Sequence, residues 1–400
     1  MMLKRRNFLK NTGLSLMAMG LSPVLLAKTD TETRLVVVLL RGAMDGMGML
    51  APYGDEKYYS LRRGLALPRP GSEGGALKLD GLFGLHPAMT NVFGMYNEGS
   101  ALLVHAVASP YRERSHFDGQ DVLENGGAAV HKQKDGWLNR ALAPMGGSLG
   151  NERAIALSQI TPLLLRGEQS VSTWAASQMP DTSDDTLGRI QTMYANDEFF
   201  SRRLAQALKS QQIADDQDGM QKGMKRRDAA RFKATMESTA RFLKAPSGPR
   251  IAVLESGGWD THANQGAANG ALATRLTMLD QGMAALKQEL GEVWARTVVM
   301  TVTEFGRTAA VNGTRGTDHG TASAALLTGG AVNGGKVIAD WPGLAADNLF
   351  EGRDLYPTTD MRSLFKGVLA EHIGLDQAFL DKEVFPDSRQ AQALAGLIKT

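Results

Sequence analysis

Six short apolar runs, each bounded by turn-forming residues, alternate along this chain with segments of helical periodicity. Runs of this kind are typical of strands that are buried on both faces of a parallel sheet. Residues 271–290 place five apolar side chains at the spacing of one helix face. We therefore predict an α/β fold, a layered α/β/α arrangement with a mostly parallel central sheet. Its predicted strands are residues 34–40, 101–108, 154–158, 250–255, 297–303 and 324–329.

The length and composition fit a globular protein without disulfides. The chain has 400 residues, of which 43% are hydrophobic, enough for one large α/β domain or two ordinary ones. A formal net charge of +2 gives no support to nucleic-acid binding. Because cysteine is absent, any metal must be held by His, Asp, Glu or other oxygen donors. Residues 183–245 are charged, rich in Gln and Met and without a strand pattern, and we predict a helical insertion there in a domain spanning 28–400.

Residues 1–27 have the pattern of a removable export signal. Arg5 and Arg6 form a twin-arginine pair, and the apolar stretch at 12–27 is too short and too interrupted by Gly and Pro to span a membrane stably. We predict cleavage near Lys28, export by the twin-arginine translocation machinery and a periplasmic location. The alternative is a buried N-terminal helix.

Polar side chains able to bind a metal or activate a substrate follow four of the predicted strands. Because the carboxyl ends of parallel strands meet at one edge of a sheet, these residues are expected to gather there. Their joint occurrence favours one metal-dependent site. The candidates are Asp45 after the first strand, Ser115 and His116 after the second, Asp260 and His262 after the fourth, and Glu304, Arg307, Asp318 and His319 after the fifth.

Taken singly, each candidate has an ordinary structural explanation. Asp45 and Asp318 could be turn residues or helix caps. Ser115 precedes a helical pattern, so it could be a simple N-cap or a hydroxyl beside free helix amides that stabilise an anion. Arg307 could clamp an anionic substrate or pair with a nearby acid.

Five blocks in this order carry a family resemblance: LVVVLLRGAMDG, RSHFDGQ, GGWDTHANQ, TEFGRT and TDHGTASAALLTGGAVNGGK. Together they resemble the DUF1501 family, a group placed in the alkaline phosphatase-like superfamily, and the resemblance covers nearly the whole chain after the signal. It implies one divalent metal surrounded by Asp45, Ser115, Asp318 and His319. It also implies a second metal held by Asp260 and His262, with His116 or Glu304 as further ligands.

The resemblance implies an exported hydrolase of small anionic esters, phosphate more readily than sulfate. Ser115 would be the nucleophile, activated by one or two divalent ions, with His116 and Arg307 as further catalytic residues. Zinc is the first expectation, and manganese, calcium and magnesium are alternatives. A sulfatase is disfavoured because neither Ser109 nor Ser115 has the sequence context of a sulfatase nucleophile and cysteine is absent. The alternative is a non-catalytic periplasmic protein that keeps the fold and has a binding or envelope role.

Two other histidines are expected to lie outside the site. His105 is inside an apolar run and is predicted to be a packed core residue. His372 is in a helical stretch, where we expect a surface or helix-end position.

Overall fold

Each predicted apolar run contains a strand in the computed structural model, which describes residues 32–145, 152–176, 190–194, 196–215 and 228–400. The predicted export signal at 1–27 lies outside the described residues. The strands are β1 (Arg34–Leu40), β2 (Leu50–Ala51), β3 (Leu77–Lys78), β4 (Gly84–Leu85), β5 (Ala101–Ala108), β6 (Ala154–Ala156), β7 (Ser172–Thr173), β8 (Ile251–Ser256), β9 (Thr297–Thr303), β10 (Ser323–Thr328), β11 (Lys336–Ile338) and β12 (Thr359–Asp360).

The α-helices connect these strands and cover the sheet. They are α1 (Gly46–Met49), α2 (Glu56–Arg62), α3 (Thr90–Asn97), α4 (His116–Asn125), α5 (Trp137–Ala141), α6 (Glu198–Asp215), α7 (Asp228–Lys244), α8 (Ala271–Leu290), α9 (Met361–Val368) and α10 (Gln377–Phe379).

The central sheet has the strand order β11-β5-β10-β9-β1-β8-β6-β7. The short strand β12 also belongs to this sheet and pairs with β5. β1 lies in the middle of the sheet and pairs in parallel with both β8 and β9. β10 is the exception, because it runs antiparallel to its neighbours β5 and β9. The sheet is therefore mostly parallel, as predicted. The start of β10 lies at the edge where the parallel strands end.

Alternate residues of β1 pack into two separate cores. Val37 belongs to a cluster that includes Trp137 of α5. Val38 belongs to a second cluster, with Met236 of α7 and Leu279 of α8. Since neighbouring strand residues point to opposite faces, the two clusters lie on opposite sides of the sheet. This confirms the layered α/β/α prediction.

The segment predicted as a helical insertion is helical where it is described, in α6 and α7. Phe232 and Met236 of α7 are buried, and Gly282 of α8 leaves room for the Phe232 ring. Because α7 buries this apolar face against α8, it belongs to a layer of the fold and does not project from it. Among the described residues, no helix combines the length and apolar character needed to cross a membrane.

Two histidines are buried outside the polar clusters of the sheet edge. His105 of β5 is fully buried, and its Nε2 lies 3.0 Å from the carbonyl oxygen of Leu50, in agreement with the core prediction. His372 lies at the end of a helical segment, Leu369–Ile373, but it is buried and not at the surface. Its Nε2 lies 2.8 Å from the carbonyl oxygen of Arg34.

Candidate metal centre

Loops from four strands bring most of the predicted site residues together at one edge of the sheet. His116 begins α4 after β5, Asp260 and His262 follow β8, and His319 precedes β10. β10 is antiparallel, so its first residues lie beside the ends of β5 and β9. The adjacent segments at Arg307 and His319 also pair as an antiparallel bridge.

Close backbone contact in this bridge requires glycine at position 320. The Gly320 N–H donates to the carbonyl oxygen of Gly306 at 2.8 Å. A Cβ at Gly320 would lie 2.4 Å from the carbonyl carbon of Arg307, which is too close for any side chain. The small residues around His319 therefore allow the loop to approach its neighbour and place the imidazole in the site.

Three donor atoms form a small triangle at the centre of the cluster. The Nε2 atoms of His262 and His319 are 3.0 Å apart. Asp260 Oδ1 lies 2.9 Å from the first and 3.2 Å from the second. In a tetrahedral zinc site with bonds of about 2.0–2.1 Å, neighbouring ligand atoms are about 3.3 Å apart. The triangle therefore has nearly the dimensions of one face of a zinc coordination shell.

His116 supplies a fourth donor atom, a nitrogen next to the other carboxylate oxygen of Asp260. Its Nε2 is buried, has no hydrogen-bond partner among the described residues and lies 3.3 Å from Asp260 Oδ2. Donor atoms of His116, Asp260 and His319 all lie within 4.8 Å of one another. A buried ring nitrogen without a partner fits a metal ligand better than a structural histidine.

Each of the three imidazoles is held by an oxygen at its other nitrogen. Glu304 Oε1 lies 2.8 Å from His116 Nδ1, and the carbonyl oxygen of Arg114 lies 2.9 Å from His319 Nδ1. Asp318 Oδ1 lies 3.3 Å from the Nδ1 of the third imidazole, that of His262. Oxygen partners of this kind fix the tautomer and orientation of metal-binding histidines, leaving Nε2 for the ion.

Glu304, predicted as a metal ligand, has an orienting role in the structure. Its side chain is fully buried and accepts hydrogen bonds from the Gly42 N–H at 2.8 Å and the Thr303 hydroxyl at 2.9 Å. The hydrogen bond that His116 Nδ1 donates to Glu304 raises the pKa of His116. With its oxygens engaged in this way, Glu304 holds His116 in place.

Asp318, also predicted as a ligand, lies on the outer side of His262. Its carboxylate is 58% exposed and accepts a hydrogen bond from Asn312 Nδ2 at 2.9 Å. This hydrogen bond lowers the pKa of Asp318. His319 is more enclosed, and burial lowers its pKa, which favours the neutral imidazole that binds metals. The adjacent Asp and His therefore take different positions: His319 faces the cluster, and Asp318 orients the imidazole of His262.

Asp45 has buried hydrogen-bond partners of its own. Its Oδ2 accepts from Arg62 Nη1 at 2.5 Å and from Gln265 Nε2 at 2.6 Å. Burial alone would raise the pKa of Asp45, but the charge of Arg62 and the two hydrogen bonds bring it below the usual value. The other oxygen, Asp45 Oδ1, is buried and has no hydrogen-bond partner among the described residues, so a metal-binding role for Asp45 stays a prediction.

Arg307 takes the ion-pair alternative that the sequence left open. Its Nη1 lies 2.5 Å from Asp260 Oδ1, and its Nε and Nη2 donate to the hydroxyl and carbonyl of Thr317 at 3.1 and 2.7 Å. Burial raises the pKa of Asp260, but the hydrogen bond and charge of Arg307, together with His262 and His116, bring the net pKa below its usual value. Because the guanidinium is fully buried and directed at protein groups, Arg307 positions Asp260 and is not placed to clamp a substrate.

Ser115 lies directly before His116 as the N-cap residue of α4. Its side chain makes no capping hydrogen bond to the described first turn of the helix. The residue is partly exposed, and its backbone N–H donates to the Tyr111 hydroxyl at 3.1 Å. A hydroxyl that does not cap its helix, beside free helix amides, is available for chemistry.

Several supporting residues were missed from the sequence because they have no metal-binding chemistry of their own. Asn312, Arg114, Thr317 and Gln265 act through hydrogen bonds to the predicted residues or their loops. Arg114, Thr317 and Gln265 had a signal, since they lie in the RSHFDGQ, TDHGTASAALLTGGAVNGGK and GGWDTHANQ blocks, whereas Asn312 lies outside the five blocks.

Comparisons with solved structures give distant likenesses. A protein in the alkaline phosphatase superfamily from Vibrio parahaemolyticus is 12% identical, with 96% of this chain and 79% of that chain covered and a TM-score of 0.42. The lipoteichoic acid synthase LtaP from Listeria monocytogenes is 11% identical, with coverage of 91% and 78% and a TM-score of 0.39. A phosphonate monoester hydrolase from Agrobacterium radiobacter is 12% identical, with coverage of 86% and 74% and a TM-score of 0.34. Likenesses at these scores support no conclusion about activity.

The sequence comparisons identify the family. No protein of curated function matches this chain. The profile of DUF1501, described as "Protein of unknown function (DUF1501)", matches residues 32–385. The match covers most of the sequence and confirms the resemblance of the five blocks. The chain belongs to the DUF1501 family.

Proposed function

We propose that this protein is a metal-dependent hydrolase of phosphate esters. One observation carries the proposal: three imidazoles direct Nε2 toward Asp260 while an oxygen holds each Nδ1. Histidines packed only for stability have no reason to converge on one carboxylate with this shared orientation.

The donor set fits a divalent ion. His116, Asp260, His262 and His319 would hold it, and imidazole with carboxylate suits zinc first, with manganese, calcium or magnesium as alternatives. The unpartnered Nε2 of His116 is the strongest sign of fit. When bound, such an ion acts as a Lewis acid on a phosphoryl oxygen and lowers the pKa of a nearby hydroxyl.

Ser115 is the residue we propose as the nucleophile. Its hydroxyl would attack the phosphorus of a small anionic ester, forming a bond from Oγ to phosphorus as the alcohol leaves. The free amides at the start of α4 would stabilise the negative charge on the phosphoryl group. Sulfate esters are the less favoured substrates. The twin-arginine pattern at Arg5 and Arg6 supports export to the periplasm as part of this proposal.

A second candidate is a non-catalytic periplasmic protein with a binding or envelope role. The favouring observation is the 2.5 Å contact of Arg307 Nη1 with Asp260 Oδ1. A buried guanidinium at this oxygen competes with a metal ion for the same lone pairs and repels it. If Arg307 rather than a metal ion occupies this oxygen of Asp260, the fold is kept and no metal is bound.

Metal content and phosphatase activity of the purified protein separate these candidates. We expect one or two equivalents of metal by elemental analysis and metal-dependent hydrolysis of p-nitrophenyl phosphate. Ser115→Ala should reduce turnover on the order of 10³-fold while metal is retained. Ser60→Ala, at an exposed serine of α2, is the matched control.

Either of two results would contradict the proposal. A protein without bound metal, even after incubation with excess Zn²⁺, would favour the binding role. A Ser115→Ala variant with near-normal turnover and about 1 kcal/mol less stability would identify this serine as an ordinary N-cap.

A further inference from the structure

We propose that Gln265 is a positioning residue that sets the geometry of the metal centre by joining its two ligand-bearing loops. These are the His262 loop, residues 260–265, and the His319 loop, residues 312–319. The inference rests on the proposed function, because it concerns the same site. Gln265 itself is 1% exposed and contacts neither solvent nor the donor triangle.

The side-chain amide of Gln265 uses both ends. Its Nε2 donates to Asp45 Oδ2 at 2.6 Å. Its Oε1 accepts from the hydroxyls of Thr261 and Thr317, each at 2.8 Å. Because a carboxylate only accepts and a hydroxyl can donate, this network allows a single orientation of the amide. One side chain thereby bonds a carboxylate oxygen and two threonine hydroxyls.

The two threonines connect this amide to the metal ligands. Thr261 lies between Asp260 and His262, and Thr317 comes two residues before His319. A shift of Gln265 would therefore move both loops, and with them the Nε2 atoms that are 3.0 Å apart.

Thr317 adds a second connection. Its hydroxyl donates to Gln265 and accepts from Arg307 Nε at 3.1 Å. Arg307 in turn contacts Asp260 Oδ1. The same amide thus supports all three corners of the donor triangle through its neighbours.

The backbones of the two loops are also in direct contact around this amide. The Gln265 N–H donates to the carbonyl oxygen of Arg315 at 3.0 Å, and the Thr317 N–H donates to that of Thr261 at 3.2 Å. At Gly316, a Cβ would lie 2.3 Å from the carbonyl carbon of His262. The loops are therefore packed too closely for independent movement, and the side chain of Gln265 fixes their register from the buried side.

Asp45 gives the amide a rigid attachment. The carboxylate is held by Arg62 Nη1 at 2.5 Å, and both residues are 1% exposed. Asp45 lies in the segment that follows β1, a strand in the middle of the sheet, so Gln265 links the two loops to that segment. In this proposal, Asp45 supports the ligand-bearing loops through its hydrogen bond with Gln265.

Gln265→Leu removes these hydrogen bonds at nearly constant volume. The matched control is Asn139→Leu, since Asn139 of α5 is also a buried amide that bonds to backbone groups, here of Leu165 and Gln169. Zn²⁺ affinity is measured by chelator competition, the Co²⁺ absorption spectrum reports ligand geometry, and thermal midpoints report stability. We expect about 10-fold weaker Zn²⁺ binding and altered Co²⁺ bands for Gln265→Leu. Asn139→Leu should lower the thermal midpoint but keep wild-type affinity and spectrum.

Thr261→Val is a milder second variant, because it removes only the hydroxyl that donates to Gln265. It tests the positioning role if Gln265→Leu does not fold. It should weaken Zn²⁺ binding several-fold. Wild-type affinity and an unchanged Co²⁺ spectrum in the folded variants would overturn the positioning role. A wild-type protein that binds neither Zn²⁺ nor Co²⁺ would instead overturn the proposed function on which this inference rests.

Discussion

Two buried histidines outside the candidate site, His105 and His372, should make the protein less stable as the pH falls from 7 to 5. Burial lowers the pKa of each from the ordinary 6.5 to about 4, and a hydrogen bond to a carbonyl oxygen only partly offsets this effect. Both are neutral in the folded protein at pH 7. As the pH falls below about 6.5, these two imidazoles become protonated in the unfolded chain but stay neutral in the folded protein.

The sign and size of this change in the free energy of unfolding follow from proton linkage. Between pH 4 and 6.5 the unfolded state binds more protons than the folded state, so the free energy of unfolding rises with pH. The contribution is fully present above about pH 6.5 and is lost as the pH falls toward 4. The difference of the two pKa values corresponds to about 3 kcal/mol per histidine, of which about 2 kcal/mol is lost between pH 7 and 5.

Urea unfolding at pH 7 and pH 5, with a chelator present, measures this loss. His372→Gln keeps a donor for the Arg34 carbonyl but does not titrate. The variant should therefore lose about 2 kcal/mol less stability than the wild type over this range. His131→Gln, at a histidine that is 83% exposed, is the control and should behave as the wild type. If His372→Gln and the wild type lose equal stability on acidification, the assignment of a buried neutral histidine is wrong.

Three further predictions concern the site and export. Replacing Asp318 and His319 together by alanine should remove most bound metal and leave the apo-protein folded, because these loop side chains contribute little to the core; unchanged metal content by elemental analysis would contradict the site. Gly320→Ala should cost about 1–3 kcal/mol by urea unfolding and weaken Zn²⁺ binding, because its Cβ would lie 2.4 Å from a backbone carbon of the neighbouring segment. Wild-type behaviour of that variant would show that the loops can separate. Replacing Arg5 and Arg6 by Lys should keep the protein in the cytoplasm, and its recovery from the periplasm would rule out twin-arginine export.

The strands and the long helix were predictable because their signals are local. The predicted strands 34–40 and 297–303 coincide with β1 and β9, and the predicted helix 271–290 coincides with α8. Apolar periodicity records which faces are buried, and burial is what these elements need to form. The direction of β10 was not predictable in this way, because alternation of side chains is the same for a strand that runs either way.

The sequence also identified most of the residues that gather at the sheet edge, but not the role of each. Any His, Asp or Glu there could have been a ligand on chemical grounds. Asp45 and Asp260 are each bonded by a buried arginine, Arg62 and Arg307, but Asp260 also lies beside three imidazoles from distant parts of the chain. Such partners are set by tertiary packing.

What the sequence alone determined is therefore the layered architecture, the family and the set of polar residues at one edge of the sheet. The tertiary structure decided which atoms face one another. Glu304 and Asp318 hold imidazoles, whereas His116 directs a free nitrogen inward. The physical reason is that a metal ligand and a residue that orients it can be of the same type. They differ only by a few ångströms in the position of the side chain and by which of its lone pairs remain free. Both depend on segments brought together from distant parts of the chain.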